Sequence, residues 1–104
     1  MDNQTLIHKR HQEICDEIHA MYLQKNAAYG NSFSDLYKEL GIISAVTQIT
    51  HKHNRLKTLA VDKNNDIATN DESIIDTLLD MANYCIMTAM EIEEEISNAE
   101  GEGK

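Results

Sequence analysis

The sequence predicts an all-α fold, and three observations predict it. The 104 residues include no proline and only four glycines, a composition that suits long helices better than turn-rich β-sandwiches and barrels. Apolar residues recur at helical spacing through three long segments. Between those segments lie clusters of Gly, Asn, Asp and Ser, which stop helices and form turns.

The first helix is expected from about Gln4 to Gln24. Ile7, His11, Ile14, Cys15, Ile18 and Tyr22 would share its buried face, with Lys9, Arg10, Glu13, Asp16 and Glu17 in water. Lys25 to Ser34 breaks the pattern, and Gly30 within it can take a positive φ. Asn31 or Ser34 would cap a short helical piece, Asp35 to Leu40, which ends at Gly41. A second long helix is expected from Ile42 to about Ala60, with an apolar stripe of Ile42, Ala45, Val46, Ile49, His53, Leu56 and Ala60.

Val61 to Asp71 is polar and reads as a loop, in which Thr69, Asn70 or Asp71 would supply the next cap. The third long helix runs from Glu72 to about Ile96. Ile75, Leu78, Leu79, Ala82, Cys85, Ile86 and Ala89 form a broad apolar arc on it. The expected architecture is a helical bundle of three long helices and a short one. It forms one domain over residues 1–96, followed by an acidic tail over 97–104.

Hydrophobic residues make up 41% of the chain and aromatics 5%, with no Trp, so the core must be aliphatic. A chain this short buries a limited share of its surface, which favours completion of the bundle by oligomerisation. The formal net charge is −9. Such a surface repels phosphate backbones and argues against direct DNA or RNA binding. It leaves room for a small nucleotide held by local cations. No apolar run approaches a membrane span, and the polar segment Met1 to Gln12 does not read as a signal peptide. A cytoplasmic protein is expected, with Cys15 and Cys85 as buried reduced thiols.

Three constellations could carry chemistry. On a helix turning about 100° per residue, Glu72, Asp76, Asp80 and Asn83 fall in one strip beside the apolar arc. Carboxylates four apart can share a divalent cation. Acids in a first helical turn also suit the dipole, which accounts for Glu72 more readily than for Asp80 or Asn83. On the second long helix, Gln48, Lys52 and Arg55 flank the apolar stripe. They would either pair with Asp76 and Asp80 or grip a phosphate. In the turn after the first helix, Lys25 could meet a phosphate and Tyr29 could stack on a base. The same turn also reads as a helix C-cap. The histidines do not form a comparable set. His51 and His53 diverge on a helix, and no third ligand joins His8 and His11.

Together, Lys25-Asn26-x-x-Tyr29-Gly30, Lys52-x-x-Arg55-Leu56 and Asp76-Thr-Leu-Leu-Asp80-x-x-Asn83-Tyr84 resemble the nucleotide modification associated domain 1 family. The resemblance covers roughly residues 10–92. That family is common in phages and prophage-carrying bacteria. It is grouped with the all-α NTP pyrophosphohydrolases of MazG-like and dimeric dUTPase type.

The resemblance implies an oligomeric, nucleotide-handling helical protein, as a dimer or tetramer. In the catalytic superfamily, two acidic motifs on neighbouring helices hold magnesium. An activated water then attacks the phosphate chain and releases pyrophosphate. Here Glu72, Asp76 and Asp80 would correspond to the later motif as metal ligands, with Asp76 and Asp80 catalytic. Lys25, Tyr29, Lys52, Arg55, Asn83 and Tyr84 would bind substrate, in a pocket lidded by the Lys25 to Phe33 turn. The earlier acidic motif has no counterpart on the second long helix, which carries Gln48, Lys52 and Arg55 there. Two functions therefore stand side by side. One is Mg²⁺-dependent hydrolysis of a (deoxy)nucleoside triphosphate to monophosphate and pyrophosphate. The other is non-catalytic sequestration of a nucleotide or nucleotide-derived defence signal.

Overall fold

The computed structural model describes residues 2–62 and 72–102, and every regular element in it is an α-helix. The helices are α1 (Asn3–Tyr29), α2 (Ser32–Leu40), α3 (Ile42–Asp62) and α4 (Glu72–Glu102). The chain divides into two compact units, Met1–Asn31 and Ser32–Lys104.

The first unit is α1. Asp2 caps it, its carboxylate accepting from the Thr5 backbone N–H at 2.7 Å. That bond holds the Asp2 pKa below its ordinary value, as expected for a charged N-cap. Gly30 ends the helix at φ 64°, donating its N–H to the Asn26 carbonyl at 2.7 Å. A left-handed φ costs glycine nothing and a β-carbon much more. The helix therefore runs past Gln24, and the segment expected as a turn from Lys25 is helical as far as Tyr29. None of the α1 residues is buried. Arg10 bridges to Glu17 at 3.2 Å and to Glu13 at 3.7 Å along its surface.

The second unit is built on an antiparallel hairpin of α3 and α4, with α2 laid against it. Gly41 sets the α2–α3 corner at φ 81°. Its N–H reaches the Tyr37 carbonyl at 2.7 Å, and its own carbonyl accepts from Ser44 Oγ at 2.9 Å. The register of the hairpin shows in its cross-links. Arg55 meets Thr77, and three residues back on α3 Lys52 meets Asp80, three residues on along α4. Ala45 sits in this seam with no exposed surface, and Ile74 and Thr77 are buried opposite α3. On the other side of the hairpin, Ser34 and Tyr37 of α2 donate to Glu91 and Glu95 of α4.

Several expectations need correction. The apolar arc of the third long helix is not the core: Ile75, Leu78 and Ile86 are each about half exposed, and Cys85 is exposed. The buried side of α4 carries Thr77, Asn83, Thr88 and Glu91 alongside Ile74. Threonines 77 and 88 fit there because their hydroxyls donate to the carbonyls of Ser73 and Tyr84, one turn back, which removes the cost of burying them. On α3, Lys52 is half-buried while His53 is exposed, so the seam is turned toward Gln48 and Lys52. Residues 97–102, expected in the tail, continue α4. Ala99 and Glu100 are good helix formers, and no proline intervenes. The predicted loop from residue 63, with its candidate caps Thr69, Asn70 and Asp71, lies outside the described residues. No described helix is long and apolar enough to cross a membrane.

Candidate functional site

Midway along the hairpin, α3 presents Lys52 and Arg55 one turn apart, toward Thr77, Asp80 and Tyr84 of α4. Lys52 Nζ lies 3.0 Å from Asp80 Oδ2, and the two side chains keep 26% and 21% of their surface in solvent. The same ammonium sits over the Tyr84 ring, 6.0 Å from its centroid, within reach of a cation–π attraction. Phe33 of α2 meets Tyr84 from the side at 5.8 Å between centroids, with the planes tilted by 33°. Four side chains from three helices thus converge: a cation, its counter-ion and two aromatic rings.

Arg55 is anchored differently from the expectation that paired it with Asp76 or Asp80. Its Nε donates to Thr77 Oγ1 at 3.3 Å, while that hydroxyl donates to the Ser73 carbonyl at 2.7 Å. Thr77 is buried, so the guanidinium is held at its inner nitrogen by a fixed acceptor. Among the described residues Arg55 forms no ion pair, and the residue is exposed. A guanidinium fixed at Nε keeps two terminal nitrogens for a planar anion.

The remaining predicted residues are placed as follows. Asn83 is buried. Asp76 and Glu72 are exposed. Lys25 and Tyr29 belong to the last turns of α1, in the first unit, where Tyr29 is highly exposed. Among the described residues no three His, Cys, Asp or Glu side chains gather at a spacing suited to a metal ion. Phe33 and Thr77 are site residues that sequence reasoning missed. Phe33 is the lone phenylalanine of the chain, and Thr77 stands three residues before Asp80, on the turn that meets Arg55.

A cavity of about 220 Å³ opens at the far end of the hairpin, where α2 meets the C-terminal half of α4. Glu91, Glu94 and Glu95 line it together with Tyr37 and Lys38. Lys38 lies 3.8 Å from Glu94, and the Tyr37 hydroxyl donates to Glu95 at 2.8 Å. That bond, aided by burial and the nearby Glu91 charge, raises the Tyr37 pKa above its ordinary value of 10.0. Three carboxylates against one lysine repel a phosphate, so this cavity is unsuited to a nucleotide's anionic end.

Comparison with known proteins gives one family. The family model described as nucleotide modification associated domain 1 matches residues 25–92. No curated protein and no solved structure matches the chain.

Proposed function

The chain belongs to the nucleotide modification associated domain 1 family, and from that premise we propose that it binds a nucleotide or nucleotide-derived signal without hydrolysing it. The observation that carries this reading is the Lys52–Asp80 ion pair. An acid needed as a magnesium ligand or catalytic base is instead matched by an ammonium at 3.0 Å. The same geometry suits anion capture. Arg55 and Lys52 would take the phosphate oxygens, and Tyr84 with Phe33 would offer a ring surface for a base. Asn83 would supply base or sugar hydrogen bonds.

Hydrolysis within the MazG-like group is the second reading, favoured by Glu72 and Asp76 lying one turn apart in solvent beside Asp80. Magnesium keeps most of its waters and needs only one or two carboxylates beside substrate phosphates. Glu72 and Asp76 fit an ion that arrives with its nucleotide. Bound there, it would supply an activated water for attack on the phosphate chain.

A nucleotide panel with and without Mg²⁺, read by thermal shift and by recovery of the ligand, tests both. A ligand at about 100-fold over its Kd should add about 2.7 kcal/mol of stability. Binding with the nucleotide returned intact supports sequestration. Pyrophosphate release that disappears in Asp80→Ala replaces it with hydrolysis. An Arg55→Ala protein that binds the panel as well as the wild type removes the site altogether.

A further inference from the structure

The two cations of the α3–α4 site are not equivalent. Arg55 is fixed by its Nε on Thr77 Oγ1 at 3.3 Å and stays exposed, with no ion pair among the described residues. Lys52 is already matched: Asp80 Oδ2 lies 3.0 Å from its ammonium, and the Tyr84 ring lies beneath it. About three-quarters of each side chain of that pair is out of solvent, so the match is only partly screened. Lys52 can still donate an N–H to an anion, but the pair adds no net charge. Two cations and one anion leave a single positive charge, centred on Arg55.

Acids flank that charge. Glu72, Asp76 and Asp80 stand on successive turns of α4, about 6 Å apart along its axis. Asp76 directly precedes Thr77, which anchors Arg55. Among the described residues neither Glu72 nor Asp76 forms an ion pair, and both are exposed. A phosphodiester carries one negative charge, which Arg55 can match. A nucleoside triphosphate carries several. Laid along α4, its further charges meet Glu72 and Asp76 or Asp80. Turned outward into water, they gain nothing from the site. Tyr84 and Phe33 beside Lys52 offer ring surface for a base, so the ligand is a nucleotide and not a bare anion.

We propose that Asp80 determines specificity by charge: it neutralises Lys52, and the site then selects a nucleotide phosphodiester over a nucleoside triphosphate. This rests on the reading of the seam as a nucleotide site and names the ligand class for it. Asp80 acts here through Lys52 and by repulsion, without bonding the ligand. Asp76 adds to the repulsion from one turn away.

Calorimetry on the full chain, at fixed ionic strength and without divalent metal, tests this. For each common base the probes are the cyclic monophosphate, a dinucleoside monophosphate, the nucleoside monophosphate and the triphosphate. The first two are diesters and separate a cyclic ligand from a linear one. For the base that binds best, the better diester should bind at least about tenfold tighter than the triphosphate. Asp80→Asn should raise triphosphate affinity by up to about tenfold and diester affinity by no more than about threefold. Asp76→Asn leaves the Lys52 pair in place and should narrow the preference by a smaller factor. Binding of no probe, or equal binding by Arg55→Ala, ends the nucleotide reading of the seam and this proposal with it. A wild type that takes the triphosphate as tightly as the diesters leaves a nucleotide site standing and overturns the charge selection. So does a preference that neither Asp80→Asn nor Asp76→Asn narrows.

Discussion

Lys52 and Asp80 face each other across the α3–α4 seam at 3.0 Å, each with about three-quarters of its side chain out of solvent. An ion pair at that depth is only partly screened, and removing Asp80 takes the counter-ion from a half-buried ammonium. Lys52→Met and Asp80→Ala should each destabilise the protein by about 1–3 kcal/mol, and the double variant by less than their sum. Urea denaturation of the four proteins measures the coupling. Independent effects would mean that the pair does not hold the hairpin in register.

The same pair makes a prediction about ligands. Asp80→Asn keeps the shape of the side chain and releases the Lys52 charge. Under sequestration, affinity for a phosphate-bearing ligand should rise by up to about tenfold, or about 1.4 kcal/mol. Under hydrolysis the same change should abolish turnover. Calorimetry with the best ligand of the panel, alongside a pyrophosphate assay, separates the two.

How much of this was legible in the sequence depended on whether the signal was local. Gly30 and Gly41 both mark real helix ends, because a positive φ is a local demand that glycine meets. Ile75, Leu78 and Ile86 were legible as one apolar face but not as an exposed one. Periodicity says which side of a helix seeks cover and nothing of what provides it. The polar interior was hidden for a related reason. Thr77 and Thr88 become cheap to bury once their hydroxyls bond the preceding turn, and a hydrophobicity pattern does not register that bond. Lys52 and Asp80 were both singled out and their pairing was one of two readings left open, because choosing Asp80 over Asp76 or a phosphate needs the hairpin register.

Tyr37 gives the fold a pH dependence of known sign. Its hydroxyl donates to the Glu95 carboxylate, which favours the protonated phenol and raises its pKa above 10.0. A raised pKa contributes stability that is fully present below pH 10.0, the unfolded value, and is lost as pH rises through the folded value. Tyr37→Phe should lower Tm at neutral pH and remove that dependence. The gap in Tm between the two proteins should hold steady up to about pH 9 and close above pH 10. A gap that widened in alkali would contradict the hydrogen-bond assignment.

Tyr84 carries the aromatic part of the site. Its ring packs beside Phe33 and lies under the Lys52 ammonium. Tyr84→Leu keeps apolar bulk in the seam but removes the π surface. If a base stacks there, affinity should fall by about 1–3 kcal/mol, with a smaller effect on inorganic phosphate or pyrophosphate. Equal losses for nucleotide and pyrophosphate would assign Tyr84 to holding Lys52 in place and not to the base.

Arg55 separates binding from folding more cleanly than any other position. The residue is exposed, and its link to the fold is the Nε bond to Thr77 at 3.3 Å. Losing one such bond costs about 1 kcal/mol, and Thr77 keeps its bond to Ser73 in the variant. Arg55→Ala should therefore fold with nearly wild-type Tm while losing at least about tenfold in affinity for a phosphate-bearing ligand. Arg55→Lys restores the charge without the planar fork and should recover only part of that loss. Full recovery with lysine would show that charge alone matters. An unchanged affinity in Arg55→Ala would move the anion site away from the α3–α4 seam.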